Sequence, residues 1–381
     1  MQEHGDKAQG SILVAIRVRP LSLREQTAGD QDIIRVEDKL LVVLDMTDFE
    51  DRKSILHRSK EQRYVFDLLF KDKTNEEVYQ HTAAGLIRPA LSGINACAFA
   101  YGPTGSGKTY TMVGTTEDPG ISVLTVRDMF QHIQADTEKI YDIKISYVEI
   151  YNETIRDLLI PNSGYLELRD DPQKGVVISG VTEYKAESTE QVMQLISAGN
   201  RRRTTEATNA NLTSSRSHAI FQAVVSIQDR TKSTVIDVYT GKLSLIDLAG
   251  SERGTVTENR GIRLWEGAKI NRSLLALANC INALGDKTKK GFFVPFRDSK
   301  LTRMLKDSLG GNCQTVMIAN ISPAVSLTQG TQFEETANTL KYASRAKNIK
   351  VKALANKKMV ALHITEYKNI ISVSPYAGLE E

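Results

Sequence analysis

The stretch Gly102-Pro-Thr-Gly-Ser-Gly-Lys-Thr109 limits what this chain can fold into more than any other part of it. It matches the spacing G-x-x-x-x-G-K-[ST] at Gly102, Gly107, Lys108 and Thr109. Such a loop brings backbone N–H groups close to phosphate oxygens, an approach that needs glycine. A helix must follow, because its positive end faces the anion. Residues 94–101 just before it, Ile-Asn-Ala-Cys-Ala-Phe-Ala-Tyr, are mostly apolar and predict a buried central strand. Lys108 is the group to reach the terminal phosphates, and the Thr109 hydroxyl the one to bind Mg2+. Pro103, Thr104, Gly105 and Ser106 complete the cradle. A glycine-rich turn matching by chance would lack this strand and helix around it.

The same alternation of elements continues along the chain. Ile12, Val14, Ile16 and Val18 fall on one face of a strand over 12–18, and Ile143, Ile145 and Tyr147 on one face of a strand over 141–151. Residues 217–228, 238–248 and 314–321 are further strand candidates. A helix over 265–284 carries Ile270, Leu274, Leu277, Ile281 and Leu284 at helical spacing and stops at Gly285. Ser188 with Gln191, and Thr331 with Glu334, read as capping boxes opening two more helices. Strands alternating with helices predict an α/β fold of the P-loop NTPase kind. Its central sheet is expected to be mixed but mainly parallel, with helices on both faces. The last thirty residues are less regular and read as an appendage.

Composition narrows the function classes. The chain has 381 residues, of which 41% are hydrophobic and 25% charged, enough apolar mass for a substantial core. A formal charge of +3 does not point to a nucleic-acid binder, so an acidic partner must meet a local basic face. Cys97, Cys280 and Cys313 are far apart with no Cys-x-x-Cys, which argues against a disulfide framework or zinc site and for a reducing compartment. No apolar run approaches the ~20 residues that cross a bilayer. The N-terminus is polar and has no signal-peptide core. The expectation is an intracellular protein with neither membrane nor nucleic acid as partner.

Hydrolysing a triphosphate takes more than a cradle: a carboxylate for the metal and groups that place the attacking water. Asp247 ends the apolar run Leu243, Leu245, Ile246 and opens Asp-Leu-Ala-Gly-Ser-Glu252. An acid at the end of a buried strand suits the metal, although a turn cap is the bland alternative. The N–H of Gly250 could touch the γ-phosphate. A second segment, Asn211-Leu-Thr-Ser-Ser-Arg-Ser-His218, sets several hydroxyls beside one guanidinium and taken alone reads as a polar loop.

Gly102–Thr109, Asn211–His218 and Asp247–Glu252 follow one another in the order of the three nucleotide motifs of kinesin motor domains, which this chain resembles over about residues 10–350. Arg17-Val-Arg-Pro20, Asn271-Arg-Ser-Leu-Leu-Ala-Leu and Pro295-Phe-Arg-Asp-Ser-Lys-Leu-Thr-Arg303 match the family as well. The resemblance implies an ATP-hydrolysing, microtubule-stimulated motor with Mg2+ as cofactor. Arg17, Arg19, Pro20 and Tyr110 would form the adenine end of the site. Ser215 would join Thr109 on Mg2+ with Asp247 behind a water, and Ser214 and the Gly250 backbone would hold the attacking water. Arg216 and Glu252 would form a salt bridge that closes with ATP bound, Glu252 relaying a proton. Two residues depart from the family: Pro103 stands where glutamine or alanine is common, and Tyr110 where histidine is common.

The resemblance also divides the chain into an N-terminal extension (1–10), a motor domain (11–348) and a neck linker with the start of a neck (349–381). Pro172-Gln-Lys-Gly-Val-Val, the run Asn271–Leu284 and His363-Ile-Thr-Glu-Tyr367 look most like the kinesin-eight subfamily, whose members walk to plus ends and shorten microtubules. Tubulin is acidic, so basic groups on one face would meet it. By family position these are Arg260, Arg263, Lys269, Lys287, Lys289, Lys290, Arg297, Lys300 and Arg303, although lysine-rich loops are often merely solvated. The basic insertion Asp51–Arg63 is a further candidate, and Arg201-Arg-Arg203 reads as helix-end structure. The expected setting is the microtubule cytoskeleton of the cytoplasm, with the spindle as one possibility, and a longer protein that dimerises through a coiled coil absent from this chain.

Rival readings make different demands. A GTPase-type switch protein needs Asn-Lys-x-Asp, and Asn356-Lys-Lys-Met fails at its last position. A microtubule scaffold without catalysis should have lost Lys108, Arg216, Asp247 or Glu252, and all four are present. A kinesin that shortens microtubules without walking stays open, since that difference lies in loop shape.

Overall fold

Ala96–Tyr101 is a strand buried at every residue, and its alternation divides the interior. Cys97, Phe99 and Tyr101 point into one apolar layer with Leu274, Leu277, Ile281 and Leu340. Ala96, Ala98 and Ala100 point into the other, with Leu124, Met129, Val192 and Ile196. The computed structural model describes residues 9–38, 40–44, 61–172, 175–205, 215–230, 235–252, 262–286, 293–325 and 331–361, with the backbone alone described at 9, 38, 204–205, 235–236, 262–271, 325, 331–332 and 359–361. One layer is covered by the helices Ile262–Gly285 and Thr331–Ala346, the other by Ile121–Ala135 and Thr189–Thr205.

The central sheet runs in the order Thr154–Asp157, Lys139–Tyr151, His218–Asp229, Val235–Asp247, Ala96–Tyr101, Gln314–Ile321, Leu13–Val18, Leu68–Lys71. It is mixed, and less parallel than expected. From Val235–Asp247 to Leu68–Lys71 neighbouring strands are parallel, but the four strands at the other end pair antiparallel. The reason is connectivity: His218–Asp229 and Val235–Asp247 are consecutive, as are Lys139–Tyr151 and Thr154–Asp157, and short links make antiparallel neighbours. In the second link Asn152 and Glu153 both take positive φ, 51° and 59°, as a two-residue hairpin turn demands.

Element positions follow the hydrophobic pattern closely, and their ends move by a few residues. The long helix starts at Ile262, ahead of the expected 265, and includes Gly285. The Ser188 box is half formed. Ser188 Oγ accepts the Gln191 amide at 3.3 Å, while Gln191 Oε1 takes the N–H of Glu187. Thr331 is the first residue of its helix, and the position before it lies outside the described residues.

The C-terminal segment is no loose appendage as far as Ala361. Lys350–Lys352 pairs antiparallel with Gln9–Ser11, and Lys357–Ala361 pairs antiparallel with the edge of Val235–Asp247. Asn356 fastens the turn between them: its side-chain amide donates to Gly93 O, Asn95 Oδ1 and Thr240 O at 2.9–3.0 Å. Pairing of this kind uses backbone groups, so it leaves little trace in an apolar pattern. His363–Tyr367 lies outside the described residues.

Candidate nucleotide site and its switches

The phosphate loop leaves the sheet at Gly102, whose φ is 148°. A Cβ there would stand 2.1 Å from the carbonyl oxygen of Asn320 on the adjacent strand, so only glycine fits. Gly107 (φ 94°) ends the loop, and the helix Lys108–Met112 follows directly. Lys108 is 6% exposed, and its ammonium donates to the Pro103 carbonyl at 2.9 Å. Burial pulls its pKa down, while Asp247 and Glu252 favour its charge. A carbonyl is a weak partner for a buried ammonium, which suits a group that is to meet phosphate.

Asp247 lies beside Ala100 in the parallel register, which sets its carboxylate level with the loop. Asp247 Oδ2 accepts the Thr109 hydroxyl at 2.9 Å, and Arg203 Nη1 at 2.7 Å. Two buried polar atoms at this place, Asp247 Oδ1 and Ser106 Oγ, have no hydrogen-bond partner. A hydroxyl and a carboxylate with a spare oxygen are hard oxygen donors. That set fits Mg2+ held by Thr109, with Asp247 reaching it through water.

Arg203 is the residue that sequence reasoning misplaced. Read as helix-end structure, it is 3% exposed and reaches the site. Besides Asp247, its guanidinium donates to Ser217 Oγ at 3.1 Å and Ser217 O at 2.7 Å. Burial works against its charge, but Asp247, Tyr147 and Glu149 together outweigh it, and the Arg203 pKa is raised. Two arginines precede it in sequence, and only the turn of the helix decides which one points inward.

The segment Gly250–Glu252 touches both of its neighbours. Gly250 donates its N–H to Ser215 O at 2.8 Å, and Ser251 donates to Gly102 O at 3.0 Å. The Gly250 amide, expected to face the γ-phosphate, is therefore engaged with the hydroxyl-rich segment here. Glu252 accepts the Thr104 N–H at 2.8 Å and also the Thr104 hydroxyl. Its described partner is thus the phosphate loop, while the salt bridge with Arg216 is expected with ATP bound. A Cβ on Gly250 would fall 2.2 Å from Glu252 Oε2 and 2.3 Å from Thr104 Oγ1. Glycine is what lets the two segments close. Ser214 lies outside the described residues. His218, which ends that motif, sits fully buried between Ala249 and Ser273 of the long helix.

At the base end, Arg17 lies with its guanidinium carbon 5.3 Å from the ring centre of Tyr110. Tyr110 is 44% exposed. Arg19 is placed differently from expectation. It bonds Gly105 O at 2.6 Å, Ser322 Oγ at 2.8 Å and the carboxylate of Glu25, bracing the outside of the loop. Arg19 in turn holds the Glu25 carboxyl down to about 2. Pro20 carries its carbonyl to the same guanidinium, at 2.8 Å.

Of the basic residues expected to face a partner, Arg297 is exposed. Lys300 and Arg303 stand on the short helix Lys300–Met304 and pair with Glu167 (3.4 Å) and Asp170 (3.3 Å) of the strand Glu167–Asp171. Glu153 Oε2 accepts the Lys300 amide at 2.7 Å, fixing that helix to the hairpin turn. Arg263 and Lys269 belong to the long helix, in the part where only backbone is described. Arg260, Lys287, Lys289 and Lys290 lie outside the described residues, as do residues 51–60 of the basic insertion. Arg63 itself is in the strand Gln62–Val65 and pairs with Glu61 at 3.3 Å.

Comparison with known proteins agrees with this geometry. The kinesin motor domain family profile matches residues 17–349. The chain is 51% identical over 376 residues to "Kinesin-like protein KIF19" of Homo sapiens, and 48% identical over 372 residues to "Kinesin-like protein KIN-8B" of Arabidopsis thaliana. These matches cover 98% and 96% of this chain but 37% and 44% of the relatives, so it spans less than half of their length. A solved structure titled "KIF14[391-772] dimer two-heads-bound state - AMP-PNP in complex with a microtubule" superposes with a TM-score of 0.81 at 34% identity. It covers 91% of this chain and 96% of that one.

Proposed function

The chain belongs to the kinesin motor domain family, and from that membership we propose that it hydrolyses ATP with Mg2+ and couples turnover to gripping and releasing microtubules. The observation that carries the proposal is the position of Gly250–Glu252. This segment bonds the phosphate loop at Thr104 and the hydroxyl-rich segment at Ser215, while Ala249 beside it bonds His218. A γ-phosphate entering the loop would compete for these groups, and the long helix would feel the exchange through His218 and Ser273. Positioning and charge dominate phosphoryl transfer, and the residues present supply both.

In this reading Lys108 binds the terminal phosphates, and Thr109, Ser215 and Asp247 hold the metal, Asp247 through water. Mg2+ would neutralise charge that develops on the phosphate oxygens. Ser214 and Gly250 place the water. Glu252 leaves Thr104 and pairs with Arg216 as the switches close. Arg297, Lys300 and Arg303, with the basic residues of the long helix and its following loop, meet the acidic track.

Likeness to KIF19 and KIN-8B supports a kinesin-eight character: plus-end movement with shortening of microtubules. Residues 349–361 support walking over shortening alone, because they lie paired along the core as a docked neck linker would. The cytoplasmic microtubule array, including the spindle, is the setting we propose.

The test is ATP turnover with and without stabilised microtubules, beside Glu252→Ala. The expected result is slow basal turnover, a rise of about tenfold or more with microtubules, and little stimulation in the variant. ATP binding with no microtubule response would overturn the coupling.

A further inference from the structure

The base-binding pair Arg17 and Tyr110 is held by a residue outside every nucleotide motif. Tyr110 donates its hydroxyl to Asp118 Oδ2 at 2.5 Å. The backbone N–H of Asn75 donates to the same carboxylate, at 3.2 Å to Oδ1. Asn75 is fully buried, and each of its side-chain atoms is used. Its Oδ1 accepts from Arg17 Nη1, and its Nδ2 donates to Tyr110 O at 3.2 Å and Asp118 O at 3.0 Å. Arg17 is completed by Thr111 Oγ1 at 2.8 Å and Lys73 O at 3.0 Å.

Asp118 can do this because its loop is closed on itself. Thr115 donates its amide to Asp118 O at 3.0 Å, Asp118 donates its own to Thr115 Oγ1 at 3.1 Å, and Gly120 bonds Val113 O at 2.9 Å. Gly114 takes φ 74°, and a Cβ there would stand 2.2 Å from Gly120 N and 2.3 Å from Asp118 O. The loop is a tight ring that fixes where the carboxylate sits. Tyr110 stands where the family commonly has histidine, and its hydroxyl makes this particular contact.

We propose that Asp118 is a positioning residue of the base subsite, which orients the Tyr110 ring through the hydroxyl and Arg17 through Asn75, and so sets adenine affinity and selection. The proposal rests on the ATP-binding reading. A charged acceptor makes a stronger hydrogen bond than a neutral one, and a ring with a fixed edge loses less freedom when a base stacks on it. Asp118 touches no nucleotide in this account; it acts through Tyr110 and Asn75.

Tyr110→Phe, Asp118→Ala, Asp118→Asn and the double variant Tyr110→Phe/Asp118→Ala test it, with equilibrium affinity for MgADP and MgGDP and the melting temperature as readouts. Tyr110→Phe keeps the ring and removes only the hydroxyl. It should weaken MgADP by about five- to tenfold, part of the strength of one charge-assisted hydrogen bond because that bond orients the ring without touching the base, and narrow the preference over MgGDP. Asp118→Asn keeps a polar partner for the hydroxyl and should restore most of the affinity lost in Asp118→Ala. The double variant should be little worse than Asp118→Ala, because the two changes remove one shared bond. A structural anchor alone would lower the melting temperature without moving the adenine-to-guanine ratio. Parental affinity in both Tyr110→Phe and Asp118→Ala overturns the proposal, as does strict additivity. ATP binding without turnover would break the proposed function and leave these ratios readable. A parent chain that binds no adenine nucleotide overturns both.

Discussion

His218 Nδ1 accepts the backbone N–H of Ala249 at 3.0 Å. That leaves Nε2 as the protonated nitrogen of a neutral ring, donating to Ser273 Oγ at 2.8 Å. One imidazole therefore joins the end of the hydroxyl-rich segment, the strand end that carries Asp247, and the long helix. A substitution to alanine strips a buried N–H of its acceptor, and the expected loss is about 1–3 kcal/mol in urea unfolding. Microtubule stimulation of ATP turnover should fall more than basal turnover does. Equal losses in both would show that the bond supports the fold without coupling the elements.

The same histidine predicts a pH dependence. Burial, with Arg203 and Lys108 nearby, pushes its pKa down to about 3 from an ordinary value near 6.5. The unfolded chain then takes up the proton first, so stability present above about pH 6.5 is lost as pH falls toward 3. The melting temperature should drop between pH 7 and 5, and His218→Gln should flatten that part of the curve. A variant with the parental slope would show that other groups account for it.

Arg203 and Asp247 form a buried ion pair at 2.7 Å, with side chains 3% and 4% exposed. Removing one partner of such a pair typically costs about 3–5 kcal/mol, because the other charge is left alone. Arg203→Ala is expected to unfold that much more easily and to need more Mg2+ for turnover. Arg203→Lys should recover little. The guanidinium serves Asp247 and both oxygens of Ser217 at once, and an ammonium cannot span that fork. Urea titration and Mg2+ dependence of turnover decide it; full rescue by lysine would mean that charge alone suffices.

Gly250→Ala puts a methyl between Thr104 and Glu252, which leave no space for it. The contact should open and ATP turnover should fall by about a hundredfold or more, while nucleotide binding at Lys108 and Thr109 persists. Parental turnover would refute closure of this segment as part of the chemistry.

Lys300 and Arg303 already have acidic partners, Glu167 and Asp170, which are 70% and 66% exposed. Exposed pairs of this kind contribute roughly 0–1 kcal/mol each. The double variant Glu167→Gln/Asp170→Asn should therefore bind microtubules a few-fold more tightly in cosedimentation at low salt. The gain should vanish at high ionic strength. Unchanged affinity at low salt would mean that these two cations do not meet the track.

The phosphate loop, the strand ahead of it, the Asp247 segment and the long helix were all legible in the sequence. Glycine positions and apolar periodicity are local signals, and each of these elements carries one. The base-site network was not: Asn75, Asp118 and Tyr110 meet only where a helix start, a closed loop and the loop helix converge. Arg203 was equally hidden, because three consecutive arginines look alike until packing turns one of them toward Asp247. The antiparallel half of the sheet and the docked strand Lys357–Ala361 depend on which edges come together, which is a property of connectivity and backbone pairing. Residue type and spacing state what chemistry a segment can perform. Which distant side chain completes it follows from burial, since a charge taken out of water must find its partner wherever the chain brings one.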